Sequence, residues 1–494
     1  MLSRLRARFN RAGSPRPLRS STARAAVDPT AARRPGNVVL RRRRLRTEVF
    51  AIRPSRRLIR FRPTPWWIAG AFGAVIAIGT LLLSLPIASE SRDWTNGIDS
   101  LFTAMSAVCV TGLVRFDTAE HWSGFGEVVI LALFQLGGLG VTVYAGMLLL
   151  LIGRRLGLRA SNLFGMELSG AGDWDVRRLL RRVLTFVILM ESLTFLLLLP
   201  WFVSEFHGTR GVWMALFHSV STFNNAGFDL MGGSNGLTGQ INAEYPITVM
   251  GISAFVGSLS FVTVFDLRRR RRGWSLDTRI VLITMIGFTL VGMLIVALAE
   301  LQDGHVLGGQ GPGGAVANAF FLAVNRSTGM TTVDMAQLQD VTAVLFLPLM
   351  FIGGASTSTA GGIKVGAFIV GLAVVWSALR GRHQAEIFSR EIPQAVVLRA
   401  ITVVLLGVVA LTVGVAAIEI TEDGPFLPLV FEVMSGLANV GWSQGVTPTL
   451  SDAGAVLIVV LMFIGRIGTL MVALTVPDRP RATYHYAQEG VRIG

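Results

Sequence analysis

Residues 108–113 read VCVTGL, 223–228 read FNNAGF, 325–330 read NRSTGM and 437–442 read LANVGW. In each, a glycine follows a short run of small or polar residues. Each run closes a half-polar segment, 98–113, 212–228, 315–330 and 425–442, that is too short to cross a bilayer twice. The shared glycines are Gly112, Gly227, Gly329 and Gly441, and their separations of 115, 102 and 112 residues are close to a constant period. One such turn would say little, because a glycine in that position often only caps a helix or allows close packing. Four at one spacing point to an internal repeat.

Apolar runs flank these segments at 66–88, 125–152, 180–203, 245–267, 280–299, an interrupted 341–379, 396–420 and 453–476. They reach the roughly 20 residues a helix needs to cross a bilayer. The chain is 52% hydrophobic and 15% charged, against about 25% charged residues in soluble domains. The fold class implied is an all-α polytopic membrane protein of eight spans. They are arranged as four M1–pore-helix–M2 repeats with four re-entrant pore loops around one central pore. Non-helical backbone at membrane depth survives only when buried in protein or lining a wet cavity, and four such segments satisfy one another around an axis. The predicted organisation is repeat 1 at 66–152, repeat 2 at 178–267, repeat 3 at 278–379 with an insertion at 353–366, and repeat 4 at 396–476. A cytosolic tail occupies 477–494.

The net charge of +15 is a local property. Residues 1–65 hold 19 arginines against Asp28 and Glu48, so the remaining 429 residues are close to neutral. This basic tail lacks the apolar run of a signal peptide, and its composition favours disorder. It reads as a cytosolic flank that also touches anionic lipid. Nucleic-acid binding would call for interleaved aromatic residues that the tail lacks. The single Cys109 excludes a disulfide framework or a cysteine-based metal site.

Arginines crowd the connections between repeats, including Arg154, Arg155, Arg177, Arg178, Arg268, Arg380 and Arg382. Carboxylates dominate the connections within repeats, among them Glu90, Asp93, Asp117, Asp229, Glu244, Glu300 and Asp334. The positive-inside rule then places both termini in the cytosol and brings the re-entrant segments in from outside. An acidic outer rim concentrates cations and argues against an anion path.

Four glycine turns around an axis supply what a dehydrated cation requires. Backbone carbonyls replace its water shell when they point inward, and glycine adopts the backbone angles that such a ladder uses. The preceding short helices direct their negative C-terminal ends at the cation. The candidate ion-binding residues are Val110, Thr111, Gly112 and Leu113; Asn225, Ala226, Gly227 and Phe228; Ser327, Thr328, Gly329 and Met330; and Asn439, Val440, Gly441 and Trp442. No catalytic residue and no organic cofactor is expected on this chain, and the expected transported species is a cation, K+ being the one that a carbonyl-lined filter suits.

The sequence at these positions resembles the Trk/Ktr/HKT superfamily of potassium transporters (TrkH family), in particular its KtrB-type ion-translocating membrane subunit. The motifs are SAVCVTGLVRFDT at 106–118, QLGGLG at 135–140, HSVSTFNNAGFD at 218–229, FIGGASTSTAGGIKV at 351–365 and FIGRIG at 463–468. The resemblance spans residues 66–494. It implies one ion path per subunit, homodimer assembly in the cell membrane, and regulation by a cytosolic ring of KtrA- or TrkA-like nucleotide-binding RCK subunits. Sodium dependence is common in the branch, so a sodium-linked symporter is within its range. The arginine-rich tail cannot supply the extra N-terminal helix pair of TrkH-type relatives, and the ending YHYAQEGVRIG is similar to a KtrB C-terminus. Met330, Trp442 and Asn439 depart from the usual pattern and bear on the degree of K+ over Na+ selectivity.

Residues 353–366, GGASTSTAGGIKVG, contain Lys364, the only lysine of the chain. Read as one helix, 341–379 would run about 58 Å, nearly twice the hydrocarbon core. The glycines break it, and the loop Gly353, Gly354, Ala355, Ser356, Thr357, Ser358, Thr359, Ala360, Gly361, Gly362 with Lys364 is expected to fold across the pore as an intramembrane gate. Arg466 lies inside an apolar span, where an arginine costs about 2.5–3.5 kcal/mol unless it faces a partner. The resemblance places it beside the broken helix as an electrostatic barrier and gate partner. Arg326 is expected to anchor its glycine turn from behind. Asn224 and Asn225 either support the turn or line the mouth; Asp117 either attracts cations or caps the next segment. His218, Glu432 and Glu191 read as buried polar contacts.

An intramembrane hydrolase would need paired carboxylates, Ser with Lys or His, or clustered histidines, and the six histidines are scattered. GGIKV also lacks the order of a phosphate-binding loop. A KdpA-like pump subunit would carry further helices. A TrkH-like proton-coupled potassium transporter is the nearest alternative.

Overall fold

The computed structural model describes residues 65–475 apart from 140–175, 233–235, 269–270, 303, 357 and 383. The basic tail, the expected C-terminal tail, residues 140–152 of the 125–152 span, the last residue of the 453–476 span and Thr357 lie outside the described residues.

The described chain is mostly helical. The order begins α1 (Pro65–Ser84), α2 (Gly97–Cys109), α3 (Thr118–His121), α4 (Gly124–Gly138), α5 (Val176–Phe206) and α6 (Gly208–Phe223). It continues with α7 (Glu244–Ser258), α8 (Phe261–Leu267), α9 (Leu276–Ala299), α10 (Pro312–Asn325), α11 (Asp340–Phe351) and α12 (Val365–Leu379). A two-stranded hairpin, β1 (Glu386–Ile387) and β2 (Arg390–Glu391), precedes α13 (Gln394–Thr421), α14 (Phe426–Ala438) and α15 (Asp452–Thr475).

Local chemistry sets the helix ends. The Asn96 side chain accepts from Ile98 N–H to start α2, Ser260 does the same for Val262 at α8, and Ser275 caps Thr278 at α9. Pro312 opens α10, where its missing N–H costs nothing. Asp117 accepts from Ala119 and Glu120 N–H, so of its two readings the structure shows the cap. Burial raises the Asp117 carboxyl above the usual carboxylate value, opposed by those two donors.

Among the described residues, three helical stretches are long and apolar enough to cross a membrane unaided: Leu180–Phe206, Leu276–Ala299 and Gln394–Thr421. Their outward faces carry large apolar side chains, among them Leu290, Leu294, Leu405 and Val413, which only hydrocarbon solvates favourably. The predicted 245–267 span is not one straight helix. It is two helices, α7 and α8, bent by 100° at Leu259–Ser260. Hydropathy is continuous through the bend, so composition hides it. The freed carbonyls of Gly257 and Ser258 instead accept from Thr359 and Ala355 N–H at 3.3 and 3.1 Å. The 341–379 run is also two helices, α11 and α12, with residues 352–364 between them.

Among the described residues, the short helices α2, α6, α10 and α14 are largely enclosed. Ten residues of α2, ten of α6, nine of α10 and nine of α14 are buried, including polar ones. The longer helices pack around them: α5 on α6, α9 on α10, α1 and α4 on α2, and α15 on α14.

Candidate ion site: four glycines and an interrupted helix

Each short helix delivers its chain to one of the four glycines. Gly112, Gly227, Gly329 and Gly441 have φ of +92°, +78°, +84° and +101°, backbone that an L side chain resists. Their surroundings close a ring in chain order. A Cβ on Gly112 would stand 2.8 Å from Ala226 O and from Gly227 Cα. One on Gly227 would strike Thr328 O, and one on Gly329 would meet Val440 O at 2.7 Å and Gly441 Cα at 2.9 Å. One on Gly441 would strike Thr111 O and return to Gly329 Cα at 2.9 Å. The structure therefore gathers four arms in one place, with the carbonyls of Thr111, Ala226, Thr328 and Val440 each against a neighbouring glycine. All four of these carbonyl-bearing residues are fully buried.

Two residues before the glycine, three of the arms turn through left-handed backbone, at Val110, Asn225 and Asn439 (φ +58°, +57° and +51°). Such backbone is rare away from glycine, and asparagine is among the few other residues that tolerate it. The Asn439 amide donates to Thr111 Oγ1 at 3.1 Å and to Met462 O at 3.0 Å, tying the fourth arm to the first. Leu113, Phe228, Met330 and Trp442 put their side chains into the apolar core. Phe228 O accepts from Ser221 Oγ at 2.7 Å and Met330 O accepts from Trp442 Nε1 at 3.2 Å, so these two carbonyls are engaged by side chains of the protein. Ser327 is buried on the third arm.

Sequence reading missed the serines that orient the arms. Ser106 Oγ accepts from Gly112 N–H at 3.0 Å and Ser435 Oγ from Gly441 N–H at 2.9 Å. Each precedes its glycine by six residues, as Ser221 precedes Gly227, and that shared offset was the available signal. The third arm has Ala323 there, and Gly329 N–H goes to Asn325 O at 3.2 Å instead. Occupying the glycine N–H from behind leaves the adjoining carbonyls to face the other way.

Polar groups outside the ring hold it in place. Arg326, fully buried, donates through Nη1 to Leu349 O at 2.6 Å and to Ile352 O, and lies 5.0 Å over the Phe288 ring. Asn224 Nδ2 donates to Gln135 Oε1 at 2.7 Å and to Glu191 Oε1 at 2.8 Å. Glu432 accepts from Ser443 Oγ at 2.7 Å and from Thr447 Oγ1, pinning the chain after Gly441. His218 accepts from Leu230 N–H through Nε2 at 3.4 Å, so Nδ1 carries the proton and donates to Met214 O at 2.8 Å.

The 352–364 loop lies against the second and fourth arms. Gly353 packs so closely that a Cβ would strike Gly361 O, and Gly361 faces Ala438 O and Asn439. Gly354 N–H donates to Gly361 O at 3.3 Å, Ser358 Oγ to Ala355 O at 2.7 Å, and Lys364 Nζ to Ala360 O at 2.6 Å. Ser356 and Gly362 complete the described loop, with Gly362 at φ +75°. Arg466 donates to Thr359 O at 3.0 Å and to Gly137 O at 2.7 Å, joining α15, the loop and α4.

The match to known proteins covers nearly all of this framework. The family described as cation transport protein, TrkH, matches residues 67–483. The chain is 35% identical over 440 residues to Ktr system potassium uptake protein B of Bacillus subtilis, covering 88% of this chain and 98% of that one. It is 33% identical over 437 residues to the potassium/sodium uptake protein NtpJ of Enterococcus hirae, covering 86% and 96%. Among solved structures, the potassium transporter TrkH from Vibrio parahaemolyticus shares the fold with a TM-score of 0.62 at 18% identity, over 83% of this chain and 85% of that one. The chain is a membrane protein and belongs to the TrkH family of cation transport proteins.

Proposed function

We propose that the chain takes up potassium across the cell membrane as the channel-like translocating subunit of a Ktr-type system. What supports this reading is the ring itself: four positive-φ glycines, each against a carbonyl of the next arm, with no side chain at the crossing. Four M1–pore-helix–M2 units then surround one path, and the carbonyls of Thr111, Ala226, Thr328 and Val440 head the set that replaces the ion's water. A backbone site of this kind carries no titrating group and no bond-making chemistry, which fits transport.

The loop at 353–366 is the gate in this proposal. It borders the path below the ring, and Arg466 holds it through the Thr359 carbonyl. A cytosolic nucleotide-binding ring of the KtrA kind moves it, the subunit pairs as a homodimer, both termini are cytosolic, and sodium supports uptake. The names of the two relatives, potassium uptake protein B and potassium/sodium uptake protein, support the choice of ion.

Growth of an uptake-deficient bacterium at low K+ tests the proposal. The expected result is rescue that improves when a KtrA-like partner is co-expressed and Na+ is present. Absence of rescue with both supplied would overturn it.

A further inference from the structure

Loop and ring meet at one side chain. Asn225 is fully buried, and its carboxamide offers two N–H donors and an oxygen with two lone pairs. All four positions are engaged. Nδ2 donates to Thr359 Oγ1 at 2.6 Å and to Phe223 O at 3.3 Å. Oδ1 accepts from Thr328 Oγ1 at 2.6 Å and from Ser258 Oγ at 2.9 Å. The partners belong to four separate parts of the fold: the loop, the third arm beside Gly329, the α7–α8 bend and the end of α6. Thr359 in turn donates to Gly257 O at 2.8 Å, and its own carbonyl is held by Arg466.

We infer that Asn225 is a positioning residue that couples the loop to the second and third arms of the ring, so that the ion preference of the ring depends on where the loop stands. This rests on the reading of the ring as the ion site and of the loop as the gate. When the loop withdraws, Thr359 Oγ1 leaves Nδ2, and a buried donor without an acceptor is unfavourable. The amide turns, or its arm follows the loop. Either movement releases Oδ1 from Thr328, whose carbonyl lies against Gly227. The amide hydrogen bonds of the fourth arm's Asn439 run to the first arm, α14 and α15, so Asn225 carries the loop's movement into the ring at the second and third arms.

The full chain in proteoliposomes tests this, with K+ and Na+ influx measured against concentration. Thr359→Val removes the hydroxyl and keeps the shape. It is expected to raise the K+ KM and to lower the K+/Na+ ratio by about tenfold, the factor carried by one lost hydrogen bond of about 1.4 kcal/mol. Thr359→Ser, which retains the hydroxyl, is expected to hold the ratio within about twofold of native. Thr328→Val should lower the ratio too, and combining it with Thr359→Val should add nothing, because both act through one amide. Should Thr359→Val fail to accumulate, Ser258→Ala removes a donor to the same oxygen and is expected to lower the ratio.

A changed maximal flux with native KM and ratio in Thr359→Val, or losses that multiply in the double variant, would overturn the coupling. So would a native ratio in Ser258→Ala. If Gly329→Ser lowers the ratio and Thr359→Val does not, the coupling alone has failed. If Gly329→Ser leaves the ratio unaltered, the ring is not the ion site.

Discussion

Two glycines separate the cost of left-handed backbone from the cost of intruding on the ring. Gly329 has φ +84° and a crowded Cβ position, 2.7 Å from Val440 O and 2.9 Å from Gly441 Cα. Gly304 has φ +88° and open space within 4 Å. Serine at either loses about 1–2 kcal/mol to left-handed backbone. At Gly329 the obstructing atoms are backbone, which no rotamer change can move, and overpacking of that kind adds about 1–3 kcal/mol. Gly304→Ser should therefore destabilise by about 1–2 kcal/mol and Gly329→Ser by about 2–5 kcal/mol. Thermal unfolding of the detergent-solubilised protein reads the stability, and paired K+ and Na+ influx assays read the selectivity. Only Gly329→Ser should lower the K+/Na+ ratio, by about tenfold or more if the carbonyl spacing changes by the equivalent of 1.4 kcal/mol. Equal ratios in the two variants would refute the assignment of the ring as the ion site.

Ser435→Ala removes the acceptor of Gly441 N–H, a buried bond worth about 1 kcal/mol; the K+ KM should rise several-fold in uptake assays, and a native KM would count against an orienting role for Ser435. Shortening the loop by deleting residues between Ala355 and Thr359, so that Thr359 keeps its bond from Asn225, should raise K+ flux without the cytosolic partner, and unchanged flux would remove the loop from gating. Glu432→Ala loses the bonds from Ser443 and Thr447 and leaves a void, so the unfolding temperature should fall by the equivalent of about 2–4 kcal/mol. A native unfolding temperature would show that the chain after Gly441 is held otherwise.

What the sequence makes legible is whatever repeats or is strongly apolar. The four glycines stand out because each arm needs one for the same steric reason, and the break at 353–366 stands out because glycine and threonine interrupt an apolar run. The 100° bend after Ser258 was hidden, since Leu259 and Phe261 keep hydropathy high while Ser258 and Gly257 turn their carbonyls to the loop. Partnerships across 134 residues, such as Asn225 with Thr359, leave no local pattern. Ser106 and Ser435 look like ordinary small helix residues until the glycine six positions later is seen folded back on them. Asn439 departs from the usual sequence pattern; the left-handed turn that it occupies explains why an asparagine suits that site.

The most direct test of the central claim is the membrane potential of liposomes carrying the purified chain, native and with the loop shortened, under opposed K+ and Na+ gradients. The account predicts that the potential moves toward the K+ equilibrium value, and does so faster with the shortened loop. A potential that tracks Na+ as readily as K+, or that stays where protein-free liposomes hold it in both forms, would contradict it.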